Sequence, residues 1–340
     1  MEATSHPFAS RVISIAVEAG QMAARIQREL VEPALEKDDR SPVTVADFAV
    51  QALIAARLEE AFPGQPLVAE ESADQLASPA GCAQLESVAR FLKPELGVCD
   101  PDQVRHWIDR GTAAPSDRCW VLDPIDGTRG FLRNAHYAVA LALMENGVVT
   151  LGVLACPRLS CKTPGPEPTD EGSLFLAVRG NGCWIGPLSG GGEFTRLQVS
   201  DCTDPAEARV LRSVEKAHTN LSQTDQTLEA LGSRVPSVGM DSQAKYGLLA
   251  AGGGEILLRL ISSRAPDYRE NIWDQAAGSI VVEEAGGVVT DLAGRPLDFS
   301  TGRTLTRNRG VVVSNGHVHD AVLAALKQVG ADGSRLSPEG

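Results

Sequence analysis

Apolar residues recur at helical spacing over residues 8–31, where Val12, Ile15, Ala16, Ala19, Ala23 and Ile26 fall on one face and Pro33 marks an end. A second helix is expected over residues 45–62, capped by Thr44 and closed by Pro63-Gly64. The apolar run Leu67–Ala69 reads as a short strand entering Glu70-Glu71-Ser72. Residues 77–118 carry a weaker pattern, giving one helix near residues 85–91 and a polar connection after it. Residues 138–144 and Val148–Cys156 alternate as paired strands around a Glu145-Asn146-Gly147 turn, and residues 174–178 form another strand. The acidic, Pro-rich stretch 162–171 reads as a surface loop, and the Gly-rich stretch 187–193 as a solvated turn.

The second half alternates between the two periods. Strands are expected over residues 209–214, 234–239 and 256–260, and over Val288–Thr290 and Val311–Ser314. Helices are expected over residues 220–231, 242–251, 272–285 and 318–329, the third closed by Gly286-Gly287. Grouped strands and helices of this kind predict an α/β molecule in which sheets are covered by helices. The expected division is an N-terminal part over residues 1–200, a C-terminal part over 201–330 and a flexible tail over 331–340.

The 340-residue chain is 43% hydrophobic, ample for a core, and its net charge of −13 argues against broad nucleic-acid or anionic-membrane binding. A small anionic ligand stays open, because a bound divalent cation reverses the local field. Seven cysteines without a Cys-x-x-Cys pair argue against a secreted disulfide framework. Cys156 and Cys161 flank a Pro-containing loop and are a candidate regulatory pair, set against the plainer reading of two idle thiols. No apolar run has the length of a membrane span and no signal-peptide core opens the chain. The expectation is a cytoplasmic protein, or one of a plastid or mitochondrion if a transit peptide has been removed.

The chemistry concentrates in Trp120-Val-Leu-Asp-Pro-Ile-Asp-Gly-Thr-Arg-Gly-Phe131. A strand that halts at Asp123-Pro124 and turns through Asp126-Gly127-Thr128 can aim two carboxylates and a carbonyl at one point, which suits a hard divalent cation. Gly127 and Thr128 add backbone N–H groups and a hydroxyl for an anion. Asp-Pro and Asp-Gly are also ordinary turn dipeptides, and either pair alone would read that way. Further acids stand at Asp47, at Glu70-Glu71 and at Asp274 within Ile272-Trp-Asp-Gln-Ala-Ala-Gly278. By spacing alone Asp274 reads first as a carboxylate satisfying a helix N-terminus.

Asp123-Pro-Ile-Asp-Gly-Thr128 and Trp273-Asp-Gln-Ala-Ala-Gly278 resemble the two signatures of the inositol monophosphatase superfamily, and the resemblance runs from about Phe8 to about Leu326. The continuation Arg129-Gly-Phe-Leu-Arg133 is similar to one branch, the 3'(2'),5'-bisphosphate nucleotidases of plants, algae and fungi. The resemblance implies a five-layer αβαβα sugar-phosphatase fold and two or three Mg2+ ions. By motif, Glu70, Asp123 and the Ile125 carbonyl would hold one ion, Asp123, Asp126 and Asp274 a second, and Asp47 with Glu70 a third. Asp47 and Thr128 would orient and deprotonate the attacking water.

The matching nucleotide-contact segments imply His218, Ser242, Lys245 and Arg259, with Gly127, Thr128 and Asp274, as substrate-binding residues. Lys245 and Arg259 suit a second phosphate. Taken singly, each has a plainer reading: a surface histidine, a solvated lysine, an arginine serving a buried acid. The segment between Arg259 and Asp274 looks about two residues longer than in the family, so Arg264 or Arg269 are alternatives to Arg259.

The activity implied is removal of the 3'-phosphate of 3'-phosphoadenosine 5'-phosphate, with 3'-phosphoadenylyl sulfate and inositol bisphosphates as further substrates and sensitivity to Li+. Alternatives are an inositol polyphosphate 1-phosphatase or inositol monophosphatase, and a catalytically weak nucleotide-binding regulator. The partner expected is a small molecule, with no nucleic-acid polymer and no membrane, the chain acting as a monomer or homodimer.

Overall fold

Two sheets divide the chain between them in the computed structural model, which describes residues 7–31, 41–77, 79–97, 100–214, 221–262 and 265–333. The first has seven strands in sequence order: β1 (Leu67–Ala69), β2 (Arg118–Asp126), β3 (Ala138–Glu145), β4 (Val148–Cys156), β5 (Ser173–Val178), β6 (Gly182–Pro187) and β7 (Thr195–Arg196). β1 runs parallel to β2 and every later neighbour is antiparallel. The second sheet has β8 (Val210–Arg212), β9 (Val238–Gly239), β10 (Ile256–Arg259), β11 (Val288–Thr290) and β12 (Val311–Ser314), in the order β11-β12-β10-β8-β9.

Alternation along the strands builds the layers. On β3, Val139, Leu141 and Leu143 enter a core shared with α1 (Ala9–Ile26), α2 (Ser41–Ala61) and α3 (Pro79–Leu96). The opposite face shows Ala138, Ala140, Ala142 and Met144 to a second core containing α7 (Ala244–Ala250) and α8 (Ala276–Glu284). Small residues on that face let the helices come close. At Gly152 of β4 a Cβ would stand 2.3 Å from Ile280 Cγ2 and 3.0 Å from the Ala277 oxygen. The second sheet closes this core with Leu211, Leu257, Val311 and Val313. Its outer face gives Val210, Ile256, Leu258 and Val312 to a third core, packed with α6 (Leu221–Ala230) and α9 (His319–Gln328). Helices, sheet, helices, sheet, helices make the five-layer αβαβα order expected.

Several boundaries differ from expectation for identifiable reasons. Pro101–Asp109 is a helix (α4) where a polar connection was expected; Asp100 caps it through the Gln103 N–H and Pro101 starts it, while only Val104, Trp107 and Ile108 face inward. The helix expected near residues 85–91 runs over the full length of α3. Strands β6 and β7 were not expected, because β6 is a two-faced buried strand broken by Gly182 and Gly186. Thr44 lies inside α2 and not ahead of it. The tail expected from residue 331 is anchored at its start: Ala331 is buried and donates its N–H to the Leu326 carbonyl. Residues 334–340 and Pro33 lie outside the described residues.

Candidate active site

The five acids reach the site from four parts of the fold. Asp47 projects from α2 and is buried. Glu70 follows the end of β1, whose parallel pairing with β2 sets Ala69 beside Leu122 and so brings the two acidic strand ends together. β2 does not halt at Pro124 but continues to Asp126, its register against β3 shifting between Asp123 and Asp126. The strand therefore carries an irregularity where a stop and turn were expected, and Asp123 and Asp126 stay paired with Ala140 and Ala138 on either side of it. Asp274 lies in a turn just before α8, which begins at Ala276 and not at Ile272.

Gly127 then caps the short helix α5 (Thr128–Leu132) at φ 90°. A Cβ at Gly127 would sit 2.7 Å from Ser242 Cβ, so the signature turn and the segment before α7 meet with no side chain between them. Ser242 itself is held at φ 67°, a conformation rare for a residue with a side chain. Its N-terminal neighbour Asp241 accepts a hydrogen bond from Arg133 Nη2 at 2.5 Å, a second link between the same segments.

The acids repel one another. Burial holds Asp123 well above the usual carboxylate range, with Glu70, Asp126, Asp274 and Asp47 adding repulsion. Asp47 is raised likewise, by burial and then by Glu71 and Glu70. Glu70 meets solvent in the open cleft yet is crowded by protein, and desolvation together with Asp274, Glu71 and Asp126 pushes it up to about 8. Asp274 rises to about 7, chiefly through burial and against the pull of Arg259. Asp126 is raised by burial, opposed by Lys245, Arg259 and the Gln243 N–H. Asp123 Oδ1 is buried without a partner.

An orphaned carboxylate oxygen, all-oxygen donors and mutual repulsion are what a hard divalent cation relieves. Glu70, Asp123, Asp126 and Asp274 supply the donors such an ion takes, so the donor set fits the group, although among the described residues no three acidic, imidazole or thiol groups stand close enough together to hold one as they are.

Cations back the acids. Lys245, expected on a helix face, is buried and sits close enough to Asp126 to be electrostatically coupled; burial lowers it to about 8. Arg259 is engaged beside the acids: Nη2 lies 2.6 Å from Glu270 Oε2 and 3.9 Å from Asp274 Oδ2, and its Nε is buried without a partner. Arg269 instead donates to the carbonyls of Asp267 and Tyr268. The Ser242 hydroxyl accepts from the Ala244 N–H. Thr128 directs its hydroxyl at the Ile125 carbonyl, 3.5 Å away. His218 and Arg264 lie outside the described residues. Cys156 and Cys161 are free thiols, and burial raises Cys156, which makes thiolate scarce.

Three supporting residues had no signal in the sequence. Gln51 donates to the carbonyls of Glu71 (2.8 Å) and Ile108 (2.7 Å) and accepts from the Glu71 N–H, fixing the strand end that bears Glu70. Arg303 donates to the carbonyls of Ala69, Gly111 and Ala113 and stacks on Trp273, tying Glu70's strand to Asp274's turn. Gln243 joins Asp126 to the Trp273 carbonyl. Each acts through contacts between residues far apart in the chain.

The sequence profile of the inositol monophosphatase family matches residues 8–331. A 3'(2'),5'-bisphosphate nucleotidase of Emericella nidulans is 39% identical over 329 residues, covering 90% of this chain and 93% of that protein. One of Oryza sativa is 39% identical over 349 residues, covering 96% of each. Among solved structures, SuhB of Mycobacterium tuberculosis superposes with a TM-score of 0.62 at 19% identity, over 96% of this chain and 99% of that one, a likeness of fold.

Proposed function

Because the chain belongs to the inositol monophosphatase family, we propose that it is a Mg2+-dependent 3'(2'),5'-bisphosphate nucleotidase, releasing phosphate from the 3' position of 3'-phosphoadenosine 5'-phosphate to leave AMP. The observation that carries this reading is the buried Asp123 carboxylate with one unpartnered oxygen, coupled to Glu70, Asp126 and Asp274 and backed by Lys245 and Arg259. Glu70, Asp123, Asp126, Asp274 and the Ile125 carbonyl would hold two ions, and Asp47 with Glu70 a third. Bound Mg2+ lowers the pKa of a water and neutralises charge on the phosphoryl oxygens.

The chain's own residues do the rest. Asp47, raised by burial, accepts the water's proton by way of Thr128 once that hydroxyl turns from Ile125. Gly127, Thr128 and Ser242 line the junction where the ester enters. Lys245 and the free edge of Arg259 pair with the second phosphate, and His218 with the nucleoside. By the same chemistry 3'-phosphoadenylyl sulfate and inositol bisphosphates are further substrates, Li+ competes for a carboxylate site, and the biological role is clearance of a sulfotransfer by-product.

The test is phosphate release from 3'-phosphoadenosine 5'-phosphate and from inositol 1-phosphate, each with and without Mg2+ and with added Li+. The expected outcome is Mg2+-dependent, Li+-inhibited release favouring the nucleotide. Preference for the inositol ester would discard the nucleotide pocket, and nucleotide binding without release would leave a regulator.

A further inference from the structure

Gln243 is buried, lies in none of the acidic segments, and touches all the pieces that separate Asp126 from Asp274. Its backbone N–H donates to Asp126 Oδ2 at 2.5 Å. Its side-chain Nε2 donates to the Trp273 carbonyl at 3.0 Å, one residue before Asp274. Its Oε1 accepts the Gly278 N–H at 2.9 Å, inside the first turns of α8. The amide can be placed only one way round, since a carbonyl must accept and an N–H must donate. The left-handed backbone of Ser242 turns the Gln243 N–H back toward β2, and the glycine at 127 leaves room for that approach.

We infer that Gln243 is a positioning residue for a divalent cation: its carboxamide locks the Trp273–Asp274 turn while its backbone N–H holds Asp126, so the two acid-bearing segments are fixed relative to each other. This rests on the reading of the cleft as a metal site. The same residue reaches Asp126 on β2 and the residue before Asp274 in the turn ahead of α8, elements of different layers. A hydrocarbon side chain at 243 would keep the packing but release the turn, leaving the Trp273 carbonyl and the Gly278 N–H without this partner.

The experiment is a titration of the full-length protein with Mn2+, followed by the loss of the free-ion electron paramagnetic resonance signal, for wild type, Gln243→Asn, Gln243→Met and Asn308→Leu. Asn308 is the control: a buried amide, with bonds to Asp291, Pro296 and Asp298, remote from the cleft. Gln243→Met is expected to weaken Mn2+ binding roughly 10- to 100-fold, the range for lost outer-shell partners, with turnover recovered at high Mg2+ and nucleotide KM little changed. Gln243→Asn, one methylene shorter and so the milder change, should weaken it less. Asn308→Leu should lower Tm without altering Mn2+ binding. Gln243 variants that lose thermal stability as Asn308→Leu does, yet bind Mn2+ as wild type, would overturn the positioning role. Wild type that binds no Mn2+ would overturn the metal reading itself, a separate failure visible before any variant is compared.

Discussion

Asp123 and Asp291 are both buried aspartates, each just past or within a strand, and their surroundings are opposite. Asp291 is fully enclosed and fully answered: it accepts from the N–H groups of Ala293 and Arg295, from Arg295 Nε and Nη2, and from Asn308 Nδ2. Asp123 faces Glu70, Asp126 and Asp274, which repel it, and leaves one oxygen unanswered. One arrangement spends its carboxylate on holding a loop. The other tolerates repulsion that bound protons or an added cation relieve. Burial of charge is thus not in itself a mark of function; burial without protein partners is.

The largest effects should separate the two acids. Asp123→Asn is expected to lower turnover by more than about a hundredfold, since it removes a cation ligand, while leaving metal-free stability no lower than wild type. Asp291→Asn should do the reverse, costing about 3 kcal/mol in urea unfolding with turnover per folded molecule unchanged, because four or more donors lose their charged acceptor. Equal stability losses in both variants would erase the distinction.

A smaller, smoother effect is expected from pH. Glu70 and Asp274 have native pKa values raised to about 8 and about 7. Their unfolded values are about 4. The native state therefore holds more protons across that interval, so this contribution is fully present below about pH 4 and is lost as pH rises through the native values. Metal-free protein should lose Tm between pH 5 and pH 8, and Mg2+ at a hundredfold excess over its Kd should restore about 2.7 kcal/mol and flatten the slope. A Tm that rises with pH in the absence of metal would contradict the repulsive cluster.

The smallest effect sharpens the roles of the partnering cations. Arg295 beside Asp291 is 58% exposed, whereas Lys245 near Asp126 is buried. Lys245→Ala should reduce kcat/KM for the adenosine bisphosphate about tenfold more than for a 3'-monophosphate lacking the 5' group. Equal losses on both substrates would remove Lys245 from the second phosphate.

Much of this was legible in order along the chain. Apolar periodicity located α1, α2, β1, β3, β4, β11 and β12, because those elements bury a regular face or are wholly apolar. The acids at 47, 70, 123, 126 and 274 were marked by local strings. α4 and β6 were missed for different reasons: α4 is short and mostly polar with three inward residues, and β6 is buried on both faces, so it shows no alternation.

What the sequence by itself determined was therefore the inventory: which acids, which cations, and a signature turn whose glycine admits close approach. Only the tertiary structure decided which groups face each other. It engaged Arg259 with Glu270, buried Lys245 near Asp126, left Asp123 Oδ1 unanswered and set Gln51, Gln243 and Arg303 between distant segments. Hydrogen bonding and Coulomb repulsion act over a few ångströms of space regardless of separation along the chain. A local pattern can name the donors and acceptors, but it does not pair them.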